Sequence, residues 1–454
     1  METNRADRRT YAMLLAVMAV GGAGSAFDVP LVVKITDFYK IGDSDFGLLL
    51  ALTTLVMAAA SAPWGYWADK YRRVTLMIIS LGLIFACMLF VGVCFRWGLP
   101  FRVYFIVKLL SGLGFAGIVP IASSAVMDTI PRPQRGAALG WMGVAFGGGG
   151  AMAMLVSSGC MQMNWSLGWT YLLGAAVGGA FFLALFAMEE PRRGAQDEAL
   201  QDTVGAGKGE YGHHIELADL KALMQRPINL LLGIAMVFFQ FPPAVLTIWF
   251  VTFLMRNHGL SELTATQLTL LAFAGQPVGN VLGGVIADRA YKWKRSGRVA
   301  VMIVMAAVAP LFLIVAFTLP FKLISFVPMM IVANFFIIAG GPAFAAVSLE
   351  VNLPEHRGTI SAFLAICTSV ALGFAWYVPP LIAKAMGGRY HHALIMTAAA
   401  YLPLIVTYIL MKSHIEEDLD RVKNILGERA KQIQNQASGG RSGEGVISDA
   451  GSSR

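Results

Sequence analysis

Twelve apolar runs of about twenty residues or more fill this 454-residue chain. They lie at approximately 11–36, 46–66, 74–95, 101–127, 136–158, 168–188, 227–254, 264–286, 299–319, 323–349, 358–386 and 391–411. About 20 apolar residues carry a helix across a bilayer, where every backbone amide and carbonyl must find its partner internally. Runs of this length and number predict an all-α membrane protein with twelve transmembrane helices. Charged residues make up 14% of the chain, against about 25% in a soluble domain. The first run is too long for a signal peptide and has no small-residue cleavage site.

The net charge of +8 reads as topology, not as a nucleic-acid surface. With the N-terminus inside and the loops alternating, 26 Lys and Arg fall on the inner side and 8 on the outer, leaving Lys108 within a span. Basic loops stay cytoplasmic. The expectation is a multi-pass protein of the cell (inner) membrane, with both termini cytoplasmic and membrane lipid as its surroundings.

No enzyme chemistry is legible. Cys87, Cys94, Cys160 and Cys367 have neither metal nor disulfide spacing, and the paired histidines His213–His214 and His391–His392 lack a third ligand. Nucleophile elbow and phosphate loop are missing from the sequence, and no dinucleotide fingerprint stands at a strand-to-helix turn. Neither a cofactor nor a metal is expected.

A polar, glycine-bearing stretch divides the chain into six spans plus six, giving 1–188, a linker at 189–226, 227–411 and a tail at 412–454. Within the linker, Ile215, Leu220 and Leu223 could form one face of a short amphipathic helix or belong to an ordinary connector. The halves repeat. GYWADKYRR from Gly65 matches GVIADR from Gly284 at an offset of 219, and DTIPRPQRG from Asp128 matches EVNLPEHRG from Glu350 at 222. FDVP from Phe27 is echoed by FQFP from Phe239, at 212. Recurrence at nearly constant offset, each time at an inner helix end, indicates duplication.

GYWADKYRRV resembles the loop between helices two and three of the major facilitator superfamily. The segments FYKIGDSDFGLL, KLLSGLGFAG, IASSAVMDTIPRPQRG and LADLKALMQRP are similar to its spinster-like branch. The resemblance implies the major facilitator fold, two pseudo-symmetric six-helix bundles around a cavity, with alternating access by rocking. Two departures stand out. The branch has Arg after the helix-one acid where this chain has Val29, and Glu in helix four where this chain has Phe115.

The repeated motifs place acids and guanidiniums together at the inner rim: Asp69, Arg73, Asp128 and Arg135 in one half, Asp288, Arg289, Glu350 and Arg357 in the other. Asp288 stands beside Arg289, and Asp128 and Glu350 stand one helix end from Arg135 and Arg357. Bidentate pairs between neighbouring helices would form a cytoplasmic gate, each solvated pair contributing about 0–1 kcal/mol.

One acid sits inside a span. Asp28, in GSAFDVPLVV, costs on the order of 2.5–3.5 kcal/mol to insert, and Pro30 removes a backbone donor nearby. Asp28 and Lys108 lie at similar depth, roughly 10–12 Å below the outer surface at 1.5 Å per residue. They are expected to meet. Breaking that pair would promote protonation of Asp28 and couple proton movement to the conformational cycle. Against this, Lys108 could snorkel to the interface and Asp28 could be a structural hydrogen-bond group.

Lys34, Phe115, Phe239, Gln240, Trp249 and Asn334 are the candidate substrate contacts, with Phe238, Phe241 and Phe344 as further aromatic lining. Gly136, Gly140, Gly143 and Gly147–Gly150 on span five predict close helix packing, and the run resembles helix five of proton-coupled drug exporters. In the tail, Leu419, Val422, Ile425 and Leu426 have helical spacing, and residues 437–454 read as disordered. The expected function is secondary transport of a small amphipathic or weakly anionic molecule, lysolipid-like by analogy, by a proton-coupled monomer. A multidrug exporter or a non-transporting receptor on the same fold are the alternatives.

Overall fold

The structure is a computed structural model describing residues 5–130, 135–188, 190, 226–319, 322–353 and 357–441. Among the described residues, twelve helices are long and apolar enough to cross a membrane: α1 (Arg9–Tyr39), α2 (Asp43–Ala68), α3 (Arg73–Trp97), α4 (Phe101–Val126), α5 (Ala138–Gln162) and α6 (Leu167–Ala187) in the first half. The second half holds α7 (Pro227–His258), α8 (Glu262–Trp293), α9 (Gly297–Thr318), α10 (Ser325–Glu350), α11 (Phe363–Ala385) and α12 (Tyr390–Ile425). The expected linker helix around Ile215 and the last residues of the tail lie outside the described residues.

Packing repeats as the sequence does. In the first half α1 lies on α5, α2 on α4, and α3 on both α4 and α6. In the second, α7 lies on α11, α8 on α10, and α9 on both α10 and α12. The halves meet through α2 against α11 and α5 against α8. The largest mismatch involves the last helix of each half. α7 packs along α12, whereas α1 barely touches α6.

Four spans are interrupted, α12 by a 3-10 turn over Thr397–Ala400. α1 is helical to Ala26, turns at Phe27–Asp28, makes a 3-10 turn over Val29–Leu31 and resumes at Val32. Pro30 has no amide hydrogen for the Ala26 carbonyl, so the ladder restarts with Leu31 N donating to Asp28 O at 2.8 Å. α8 breaks at Ala274, and α10 at Gly340. Broken helices at membrane depth occur where the freed backbone is enclosed by protein.

Of the span-five glycines, Gly149 and Gly150 deliver the close packing, since a Cβ on Gly149 would lie 2.0 Å from the Ala19 carbonyl oxygen. Gly140, Gly143, Gly147 and Gly148 have open space instead, because they point away from α1. The tail helix is continuous with α12 and runs to Arg441, through Gly439 and Gly440. It therefore enters the stretch expected to be disordered.

Candidate transport site and the two ends of the molecule

The break in α1 presents Asp28 to α4 and α6. Its Oδ2 meets Lys108 Nζ, and its Oδ1 accepts from the Tyr171 hydroxyl at 2.5 Å. Asp28 and Tyr171 are buried, with residue exposures of 7% and 2%, and Lys108 is half-buried with its side chain 12% exposed. Phe27 and Phe95 pack on the Tyr171 ring at 5.2 and 5.3 Å, fixing the hydroxyl on the carboxylate. A cavity of about 20 Å³ adjoins the group, lined among others by Ser111 and Phe115, and is large enough for one water.

The glycines of helix four set this position. A Cβ on Gly112 would stand 2.8 Å from the Thr53 carbonyl of α2, and one on Gly114 would stand 2.9 Å from the Ser80 carbonyl of α3. Trp64 Nε1 donates to Leu113 O at 2.8 Å and the Ser80 hydroxyl to Gly114 O at 2.7 Å. α4 is thereby clamped one turn from Lys108.

The turn that follows Asp28 reaches the other half. Val29 and Leu31, 2% and 0% exposed, belong to a core shared with Val245 and Trp249, and their turn packs on α7 and the first part of α8.

At this end of the molecule, opposite the basic loops, polar ties join the halves. Arg256 on α7 donates to Asp43 Oδ1 at 2.7 Å and to Thr36 Oγ1 at 3.0 Å. Tyr390 on α12 donates to Asp43 Oδ2 at 2.7 Å, and Lys34 lies 3.3 Å from Glu262. A Cβ on Gly47 of α2 would fall 2.3 Å from the Trp376 carbonyl oxygen of α11. This end is shut. Arg256 also lies 3.8 Å from Asp37, a further ion pair between halves at this end.

At the basic end the partners differ from those the spacing suggested. Asp288 pairs with Arg298 at 2.8 Å and Glu350 with the same guanidinium, while Arg289 is exposed. Arg298 opens α9 and faces inward over the Tyr291 ring, whereas Arg289 follows Asp288 directly on one helix and points elsewhere. This cluster ties α8, α9 and α10 within one half, so it is not a contact between bundles. Arg73 is buried, and the Arg73 and Val74 amides donate to Glu190 at 2.6 and 3.0 Å, an acid capping the start of α3. The side chains of Asp69, Asp128, Arg135 and Arg357 lie outside the described residues.

Of the candidate substrate contacts, Phe115 alone lines the cavity beside Asp28. Lys34 is bound up in the shut end. Trp249 is fully buried, stacked on Tyr390 at 5.6 Å and donating to Ala375 O at 3.1 Å. Asn334 is also fully buried, accepting from Gln276 at 2.9 Å and donating to Met330 O. Both are packing groups with their polar atoms satisfied. Phe239 stacks on Phe344 at 6.1 Å beside the α10 break, and Gln240 next to it is half-buried. Tyr171, Asp43, Arg256, Tyr390 and Arg298 were missed. Arg298-Val299 repeats Arg73-Val74 at an offset of 225, a signal that was present in the sequence.

Two six-helix halves related by a repeat, one end shut and a buried ion pair at a helix break define a secondary transporter. The Major Facilitator Superfamily pattern matches residues 12–376, and the chain belongs to that family of transporters. It is 27% identical over 225 residues to human protein spinster homolog 1, spanning 49% of this chain and 41% of that one. It is 26% identical over 205 residues to the class E tetracycline resistance protein of Escherichia coli, spanning 43% of this chain and 48% of that one. The fold superposes with a TM-score of 0.78 on a bacterial homolog of the human lysosomal transporter Spinster in an inward-facing, unoccupied conformation. That match covers 92% of this chain and 99% of the other at 19% identity.

Proposed function

We propose that this chain is a monomeric, proton-coupled transporter of a small amphipathic or weakly anionic organic molecule, working by alternating access. The reading places the basic loops and both termini in the cytoplasm of a cell whose inner membrane it spans, and the shut end outside. The state described here then opens towards the cytoplasm.

One observation carries the reading: the carboxylate that meets Lys108 sits one residue before a turn packed on the opposite half. A shift of the turn on which both bundles rest would part Asp28 from Lys108. A carboxylate stripped of its cation in apolar surroundings takes up a proton. An anionic substrate drawn to Lys108 would displace Asp28 and so link its own binding to proton uptake. Tyr171 donates to the other carboxylate oxygen and orients the acid towards Lys108.

Asp28→Asn in proteoliposomes tests this. Gradient-driven accumulation should vanish while substrate exchange persists in part; accumulation equal to that of the unaltered protein would remove Asp28 from coupling. Drug export is the second reading, supported by the likeness to the tetracycline resistance protein. It requires tetracycline-type substrates to compete for exchange.

A further inference from the structure

The two halves differ in the loop that follows Asp69 and Asp288. The repeat offset is 219 at these acids and 225 at Arg73 and Arg298, so the second half carries six extra residues. The first half does without them. Its second helix stops at Lys70, one residue past the acid, while α8 runs to Trp293, five past its own. That is one further turn, about 6 Å at 1.5 Å per residue.

The addition is aromatic and basic. Trp293 is 92% exposed, and Arg289, Lys292, Lys294 and Arg295 around it are exposed too. They stand on a fixed turn: Lys294 N donates to Ala290 O at 3.0 Å, and Gly297 N to Lys294 O at 2.8 Å. A Cβ on Gly297 would lie 2.2 Å from the Ala290 carbonyl oxygen, so the chain folds tightly back on the helix end. Tryptophan concentrates at the membrane–water interface, and four or more Lys and Arg just beyond a span attract anionic lipid. The site at Asp28 calls for neither.

This turn already takes anions. Glu416 of the tail helix lies 3.6 Å from Lys294, and Asp420 pairs with Arg295. The four side chains are between 48% and 69% exposed, so water screens both pairs and they hold weakly. A lysine or arginine at an anionic surface gains about as much as such a pair. Neither occupant wins outright. Lys292 makes no ion pair among the described residues and is left for the second one.

We propose that the turn between α8 and α9 binds the anionic phospholipid head groups of the adjoining leaflet, in competition with the tail helix. Lipid held by Lys292 and Trp293 draws Lys294 and Arg295 off Glu416 and Asp420 and loosens the tail from its bundle. The composition of the bilayer then sets how firmly the tail is docked. This site lies apart from Asp28 and needs no proton gradient, so it stands or falls separately from the transport proposed above.

The test places the full chain in nanodiscs of phosphatidylcholine, alone or mixed with phosphatidylglycerol, at one ionic strength. Hydrogen–deuterium exchange of the tail amides from Leu419 to Ala430 is the readout. Exchange should rise at least about threefold in the mixture. Lys292→Gln with Trp293→Ala, both exposed positions, should exchange normally in phosphatidylcholine and lose the response to phosphatidylglycerol. Glu416→Gln with Asp420→Asn should exchange fast in either disc. Exchange indifferent to phosphatidylglycerol, an undiminished response in the Lys292 and Trp293 variant, or slow exchange in the Glu416 and Asp420 variant would overturn the competition. An equal rise on adding inorganic phosphate to phosphatidylcholine discs would overturn the membrane as the ligand.

Discussion

Tyr390 and Asp43 come from opposite halves of the chain and meet at 2.7 Å, the phenol donating to one carboxylate oxygen while Arg256 takes the other. A single acid on α2 thus holds α7 and α12. Hydrogen bonds to a charged group contribute about 1.5–3 kcal/mol each, enough to shift a two-state equilibrium roughly tenfold or more. Asp43→Asn should therefore populate the state open at this end. Spin labels across α2 and α11 should read longer distances there; an unchanged distance distribution would show that packing alone keeps the end shut.

Gly47 should act in the same direction by sterics. A valine in its place meets a backbone oxygen of α11, which cannot rotate away as a side chain could. Gly47→Val should leave the protein folded, with a melting temperature within a few degrees, yet stop transport by barring closure. Normal turnover would mean that α2 and α11 need not approach this closely during the cycle.

At the helix break, Lys108→Met leaves a buried carboxylate without its cation, a change that typically costs about 3–5 kcal/mol when the acid stays charged. Removing both charges in Asp28→Asn with Lys108→Met should restore much of the lost thermal stability while abolishing gradient-driven transport. Tyr171→Phe should be milder, at about 1–2 kcal/mol, and should change the pH dependence of uptake without ending it. Additive losses in the double variant would refute the pairing.

Arg298 bridges Asp288 and Glu350, one of them largely exposed. Solvent screening keeps the Asp288 contact within about 1 kcal/mol, so most of the effect should come through Glu350. Arg298→Ala should destabilise the second half by about 1–3 kcal/mol. Arg298→Lys should recover only part of this, because one ammonium lacks the fork that serves two acids. Full recovery with lysine would reduce the role of Arg298 to net charge.

Hydropathy alone carried the twelve spans, since a bilayer fixes both length and secondary structure. Counting residues from the outer ends of α1 and α4 was enough to put Asp28 and Lys108 at one depth, where the structure has them in contact. Tyr171 was invisible because a tyrosine in an apolar run looks like packing until its hydroxyl has a partner. Asp43 and Tyr390 lie 347 residues apart and meet only when the bundles dock. At the basic end the acids were found but their partner was misassigned. Neighbours in sequence at a helix end, such as Asp288 and Arg289, point to different sides, while Arg298 returns from the next helix. Trp249 and Asn334 looked like cavity groups because sequence cannot tell an inward-facing residue from one wedged between helices.

The helix that begins at Tyr401 runs 41 residues to Arg441, about 60 Å at 1.5 Å per residue. Arg295 and Lys294, from the loop between α8 and α9, grip it at Asp420 and Glu416. Among the described residues these ties bolt it to the second bundle, like a crank arm on a shaft. A tilt of a few degrees in that bundle becomes a sweep of several ångströms at the far tip, so a fluorophore placed there would report each stroke of the cycle from well beyond the lipid.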